Sequence, residues 1–281
     1  MRSIPAEVRD VARPQIFGIL NVTDDSFFDG GKYLEPAAAI AQGRALVAQG
    51  ADVLDIGAAS SNPDSRGVPP DIEIARLEAV LPALGGISLS IDSFSLPVQR
   101  WALAQGIAYL NDIEGFADAA LYPQLAASTA RLIVMHSVQA RGAATRVHVP
   151  AGEIMDRIAR FFDARLAALT GAGVARDRLI LDPGMGFFLG TDPECSFTVL
   201  RRLGELKARY GLPLLVSVSR KSFLRRITGK TAAESGPASL AAELFTIRQG
   251  ADYIRTHAPG ALKDALLLEK ALSGADQNRF R

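Results

Sequence analysis

Polar side chains that interrupt or close short apolar runs are the residues of this 281-residue chain most able to do chemistry. Asn21 follows the run 15–20, and Asp55 sits within 52–57. Asp92 ends 87–92, and Asn111 with Asp112 ends 108–112. His136 follows 131–135, and Asp182 ends 178–182. Ser219 and Lys221 follow 213–218, while Arg255 and His257 close the run 252–256. Carboxylates and amides are costly to bury without partners. A single Asp or Asn in such a place commonly caps the next helix or ties a loop. The same placement at every run points to one shared cavity, suited to a polar, anionic ligand with a flat hydrogen-bonding part. Arg255-Thr256-His257 offers a guanidinium fork and an imidazole donor to phosphate oxygens. Ser219-Arg220-Lys221-Ser222 adds cations and hydroxyls to that sector. His136 reads as hydrogen-bonded within the rim, and His148, in a loop of small residues, as solvated.

Those positions converge only if the runs are strands of one sense. The runs are apolar nearly throughout, as in strands buried on both faces of a parallel sheet. Between them lie segments at helical spacing: 36–49, 71–81, 96–105, 118–127, 153–169, 193–210, 238–249 and 261–272. The first has Pro36 in its opening turn and Gly50 after its end. Strand–helix alternation with right-handed crossovers predicts a parallel sheet. Eight such units in one chain of this length predict a single α/β domain closed into a (β/α)8 TIM barrel. An open doubly wound sheet lacks support, because no G-x-G-x-x-G follows the first strand. The expected organisation is an N-terminal extension over 1–14, the barrel over 15–275 and a tail over 276–281. The long connections 21–35, 58–70 and 136–152 follow strands, which places them on the catalytic rim of a barrel.

Lys and Arg number 31 against 30 Asp and Glu, a net charge of +1, so no global charge bias calls for nucleic acid or an anionic membrane. A content of 48% hydrophobic and 22% charged residues excludes a wholly disordered chain. No apolar run reaches the length of a membrane span. The opening residues carry Glu7 and Asp10 and no apolar core, unlike a secretory signal, and a cytoplasmic protein is expected. Cys195, the one cysteine, can form neither an intrachain disulfide nor a multi-cysteine metal cage and reads as a buried thiol.

Longer motifs run along the chain: Phe17-Gly18-Ile19-Leu20-Asn21-Val22-Thr23-Asp24-Asp25-Ser26-Phe27 with Asp29-Gly30-Gly31, then Ile91-Asp92-Ser93 and Asn111-Asp112-Ile113. Asp182-Pro183-Gly184-Met185-Gly186-Phe187, Ser219-Arg220-Lys221-Ser222 and Ile254-Arg255-Thr256-His257 follow. In content and order these motifs resemble the dihydropteroate synthase family. Two stretches depart from the general pattern. Where the family usually has Ser-Thr-Arg-Pro-Gly, this chain has Ser60-Ser61-Asn62-Pro63-Asp64. Where a basic residue usually follows the Asp-Pro-Gly motif, it has Phe187-Phe188-Leu189. Both departures are similar to the Sul-type, sulfonamide-insensitive members.

The resemblance implies a TIM barrel that joins 6-hydroxymethyl-7,8-dihydropterin diphosphate to p-aminobenzoate in folate biosynthesis, and a homodimer. It implies Mg2+ held by Asn21, and Ser61, Arg255 and His257 on phosphate oxygens. Asp182 would accept the pterin's guanidine-like donors, Asn111 and Asp92 would complete that edge, and Lys221 would donate to the lactam side. Asp182, Lys221 and Asp92 are the catalytic candidates. Phe187 and Ser222 would border p-aminobenzoate, with Ile113 and Ser219 among the substrate-binding residues. The loops 21–31 and 60–67 would close over the substrates, and sulfonamides would be tolerated. Two other readings remain at this point. A pterin-binding methyl-transfer barrel would need neither Arg255-x-His257 nor a metal-holding Asn21. A non-catalytic pterin-binding paralogue has Asn62, in place of the usual Arg, in its favour.

Overall fold

Strand β1 (Gln15–Asn21) is buried from Ile16 to Leu20 because its two faces meet two different cores. The structure, a computed structural model, describes residues 13–23, 36–65, 67–139 and 141–273. Most of the expected N-terminal extension, the motif from Asp24 to Gly31 and the tail 276–281 therefore lie outside the described residues. In chain order β1 is followed by α1 (Pro36–Ala48), β2 (Val53–Gly57), α2 (Pro70–Val80), β3 (Ser88–Asp92), α3 (Leu96–Ala104) and β4 (Tyr109–Asp112). Then come α4 (Tyr122–Ala127), β5 (Arg131–Met135), α5 (Ile154–Gly171), β6 (Leu179–Asp182), α6 (Pro193–Arg201) and α7 (Leu203–Tyr210). The chain ends with β7 (Leu215–Val216), α8 (Ser222–Thr228), α9 (Gly236–Arg248), β8 (Tyr253–Thr256) and α10 (Pro259–Leu272).

All the strand pairs are parallel, in the order β6-β5-β4-β3-β2-β1-β8-β7. A bridge between Leu181 and Leu214, with the Leu181 N–H donating to Pro213 O at 2.9 Å, closes the remaining gap. The result is the expected eight-stranded barrel. Strand β7 is shorter than 213–218. Pro213 has no N–H to give a ladder, and the far end turns away where the Lys221 N–H donates to Val218 O at 3.2 Å.

Three helical expectations change. The segment 193–210 is two helices, broken at Arg202 where ψ is 15°. The segment 118–127 opens as a 3-10 turn whose Ala120 N–H is capped by Asp118, leaving α4 only six residues long. The stretch after β7 is itself helix α8, with Ser222 as its first residue.

Two shells of apolar packing hold the barrel. Inside it, Phe17, Val53, Tyr109, Ile133, Ile180, Leu215 and Tyr253 form one layer, so the lumen is plugged. Phe17 meets Tyr109 and Tyr253 edge-on, at 5.1 and 5.6 Å between ring centres. The outer shell lies between strands and helices. Helix α5 shows how sequence places it: Ile154, Ile158, Phe162, Leu166 and Leu169 recur at three- and four-residue steps and are all buried. Among the described residues no helix is long and apolar enough to cross a membrane.

Candidate active site

Strand side chains alternate, so the residue two places beyond each plug residue points into the same lumen. Val53 is succeeded by Asp55, Tyr109 by Asn111, Ile180 by Asp182, Leu215 by Ser217 and Tyr253 by Arg255. An apolar floor is thus overlaid by a polar layer at the C-terminal ends of the strands. A cavity opens there. Asp92, Asn111, Asp182, Lys221 and Arg255 form its polar wall, with Ser61 and Ser217. Ile113, Met135, Met185 and Phe188 form its apolar wall.

Arg255 organises the polar wall. Its Nε donates to Asp55 Oδ2 at 2.5 Å and its Nη2 to Asp92 Oδ2 at 2.7 Å. Asp55 is fully buried and Arg255 is 14% exposed. The fork expected to receive phosphate is therefore already engaged by two carboxylates. Asp55 Oδ1, Ser90 Oγ, Asn111 Oδ1 and Ser217 Oγ are buried and have no hydrogen-bond partner. Each such atom costs about 1–3 kcal/mol while unsatisfied. They come from β2, β3, β4 and the residue just past β7, so this lumen is built to be completed by something polar.

Burial sets the protonation of the wall. It raises Asp182 to about 6, although Gly184 N–H donates to its Oδ1 at 2.8 Å and Lys221 and Arg255 oppose the rise. Burial also raises Asp92 to about 7, with Arg255 pulling down and Asp55 pushing up. Lys221 falls to about 8, through burial and then the charge of Arg255. Its Nζ stands 5.3 Å from the centre of the Phe188 ring. The turn that presents Lys221 puts Arg220 at a φ of 61°, held by its N–H on Ser239 Oγ at 2.9 Å.

The remaining sequence candidates stand off the cavity wall. His257 Nδ1 lies 3.0 Å from Ser219 Oγ, which also accepts the His257 N–H at 3.3 Å. Burial, then Arg220, Arg255 and Lys221, push this imidazole well below its ordinary pKa, so it is neutral at pH 7. Asn21 is half-buried, with Oδ1 facing Gly57. Ser222 Oγ lies against Gly186. Phe187 sits beneath the Arg146 guanidinium, 5.8 Å from its carbon, and the next ring, Phe188, faces the cavity instead. His136 is buried and lowered to about 4 by desolvation, and its Nδ1 is 3.1 Å from Pro183 O. Gly184 lies between these loops at a φ of 73°, where a Cβ would come within 2.3 Å of His136 O. His148 is exposed, as expected.

Met135, Met185 and Ser217 carry no site role in the sequence reading, whereas Asp55 is among the polar residues that it assigns to the shared cavity and Phe188 belongs to the stretch that departs from the family's pattern. The two-residue step from the plug layer identifies Ser217. Met135 and Met185 have no local signal, since loop packing brings them in.

Residues 17–257 match the family model described as pterin binding enzyme. A dihydropteroate synthase type-2 from Escherichia coli is 61% identical over 259 residues, covering 92% of this chain and 95% of that protein. Among solved structures, a Xanthomonas albilineans dihydropteroate synthase with 4-aminobenzoic acid has a TM-score of 0.82 at 32% identity, covering 94% of each chain. A Yersinia pestis dihydropteroate synthase in a sulfonamide drug complex has a TM-score of 0.85 at 30% identity, covering 95% of this chain and 97% of that one.

The raised carboxyl of Asp182 has a consequence for stability. A folded pKa of about 6 against the ordinary carboxyl value of 3.8 means that the folded state binds this proton more tightly. Its contribution is present at low pH and is lost as pH rises through that window. Asp182→Asn keeps an acceptor for Gly184 and removes the buried charge. In urea unfolding it should exceed the parent by on the order of 2 kcal/mol at pH 7.5, with the gain gone near pH 3.5. A variant less stable than the parent at pH 7.5 would show that the charged carboxylate is favourably solvated by the site.

Proposed function

Because this chain belongs to the dihydropteroate synthase family, we propose that it condenses 6-hydroxymethyl-7,8-dihydropterin diphosphate with p-aminobenzoate, giving 7,8-dihydropteroate and diphosphate. The observation that carries the reading is one barrel-mouth cavity holding buried Asp182, Asp92 and Asn111 beside Lys221 and Arg255. In the reaction the bond between the pterin methylene and the diphosphate oxygen breaks, and both electrons leave with diphosphate. The cation left behind is delocalised into the pterin. The arylamine nitrogen then forms the new C–N bond and loses a proton to solvent.

Asp182 accepts two donors of the pterin's guanidine-like edge, and its charge stabilises the cation in a dry lumen. Asn111, with Oδ1 unpartnered, and Asp92 complete that edge. Lys221, with a pKa of about 8, is largely charged at neutral pH and donates to the lactam oxygen. Ser61 and neutral His257, held by Ser219, bind phosphate oxygens, while Arg255 fixes Asp92 and turns its remaining edge to the substrate. Ile113 packs against the pterin, and Phe187, Phe188 and Ser222 border the arylamine. No group of three or more His, Cys, Asp or Glu among the described residues could hold a metal ion. The single amide oxygen of Asn21 suits Mg2+, a hard cation that draws its other ligands from phosphate and water. Bound there, the ion would offset the charge of the departing diphosphate.

With both substrates and Mg2+ the protein should release diphosphate and form dihydropteroate, and EDTA should stop it. Asp182→Asn should lower kcat/KM by about a thousandfold. Absence of product from the parent enzyme would leave only pterin binding. Sulfamethoxazole should inhibit poorly, because Phe187-Phe188-Leu189 stands where the wider family has one aromatic and then a basic residue, and the second ring, Phe188, lines the cavity. Phe188→Ala should strengthen that inhibition by a larger factor than it changes the KM for p-aminobenzoate.

Calorimetric titration separates the two phosphate candidates. His257→Ala should weaken the pterin diphosphate and leave free 6-hydroxymethyl-pterin unchanged. Arg255→Ala should weaken both, because it frees Asp92. Loss of the diphosphate ligand alone in Arg255→Ala would restore a simple phosphate grip.

The exposed Leu267, Leu268 and Leu272 on α10 supply an apolar face that supports a homodimer. Sedimentation at micromolar concentration should give twice the chain mass, and a monomer would remove this element.

A further inference from the structure

The connection from β5 to α5 crosses the barrel mouth and is tied to several of its neighbours. The Val138 N–H donates to Phe188 O at 2.9 Å and Gln139 Nε2 to Phe187 O at 3.3 Å, joining it to the loop after β6. The Gly142 N–H donates to Glu114 Oε1 at 2.7 Å, beyond β4. The Ala144 N–H donates to Ser61 O at 3.0 Å, beyond β2. Two residues later Arg146 donates from both Nη atoms to Asp64, at 2.9 and 2.5 Å. The same guanidinium covers the Phe187 ring.

We propose that Arg146 and Asp64 form a clasp that sets the arylamine end of the site, positioning Ser61 and the Phe187–Phe188 wall. The inference rests on the proposed condensation. Two features of the pair support it. Its prongs join the loop that carries Ser61, in the cavity wall, to the strap whose buried Ala144 packs with Ile113, Met135 and Phe188. Opening the pair therefore releases one wall of the cavity and leaves the Arg255, Asp55 and Asp92 group intact. The pair is also well exposed, at 55% for Arg146 and 61% for Asp64. Solvent replaces such a bond cheaply, as a clasp that opens in each turnover requires. A buried pair could not cycle in this way, because parting it strands a charge in the lumen.

Four proteins test the clasp: the parent, Arg146→Ala, Asp64→Ala, and the charge swap Arg146→Asp with Asp64→Arg. Each single variant should raise KM for p-aminobenzoate by about fivefold or more, with a clearly smaller rise in KM for the pterin diphosphate through Ser61 and Tm nearly unchanged, and the swap should recover most of the loss. Raising salt from about 0.05 to 0.5 M should raise the parent's KM for p-aminobenzoate and leave that of Arg146→Ala flat, since exposed charges are screened. An unchanged KM, or an equal rise for both substrates, would overturn the clasp. Amide exchange reads the same contact without turnover. In Arg146→Ala, residues 61–65 and 141–147 should exchange faster than in the parent, and unchanged exchange overturns the proposal. A parent that makes no dihydropteroate defeats the proposed reaction, and the exchange measurement then still decides whether the clasp exists.

Discussion

A guanidinium held between two carboxylates inside a barrel governs the rest of this structure. Arg255 reaches from β8 to Asp55 on β2 and Asp92 on β3, past the intervening β1. Such a buried group adds little net stability over an apolar filling, but removal of one member costs about 3–5 kcal/mol because an unpaired charge stays behind. The arrangement therefore fixes the register of polar residues in the lumen more than it stabilises the fold. It also sets the electrostatics. Asp55, Asp92 and Asp182 face the cations Arg255 and Lys221, so the lumen is one negative charge in excess when all are ionised. Asp92, at about 7, and Asp182, at about 6, reach that state only as the pH approaches neutrality. A lumen of that sign favours a cation formed within it and does not favour the diphosphate that leaves. The leaving group must therefore be served from the rim, where Ser61, His257 and Asn21 stand.

The barrel was legible because each strand is apolar on both faces and its helix follows at the right spacing. The polar layer was legible as well, since one strand end after another carries a group that is costly to bury. The faces of individual residues were harder to read. Asp52 and Asp55 occupy one short run, yet Asp52 lies outside the ladder, taking Arg13 and the Ile16 N–H, while Asp55 enters the lumen. Only the step of two from Val53 distinguishes them. Arg255 reads as a phosphate fork from Arg-Thr-His alone, because its partners lie 163 and 200 residues away in sequence. Phe187 and Phe188 are adjacent and alike, and the 3-10 turn Gly186–Leu189 decides which ring faces the cavity. The β5 strap is held by backbone and side-chain bonds to three other loops, and its sequence of small residues carries no trace of them.

Strand alternation gives the site a second property. After four of the inward residues that serve the lumen, the next one faces outward and is anchored. Ser93, after Asp92, donates its hydroxyl to buried Glu73 of α2 at 3.0 Å, and its carbonyl accepts Gln99 Nε2 of α3 at 2.8 Å. Asp112, after Asn111, accepts the N–H groups of Glu114 and Phe116, both at 2.8 Å. Pro183, after Asp182, gives its carbonyl to His136. Thr256, after Arg255, hydrogen-bonds Glu243 of α9. Each of these four strand ends is thus a two-sided joint, with chemistry on one side and a tie to an outer helix or loop on the other.

That division separates two demands that conflict in a single residue. The inward groups are held in protonation states and unsatisfied geometries that cost stability, which is the condition for binding a polar substrate strongly. The outward groups return stability by closing hydrogen bonds against rigid helices, and they fix the backbone from which the inward groups project. A lumen position can therefore change without unseating the strand that carries it. An outward position cannot change without moving its inward neighbour. Local sequence rules are broken on the inner face of this barrel and kept on the outer one, and the line between them is the plane of the strands themselves.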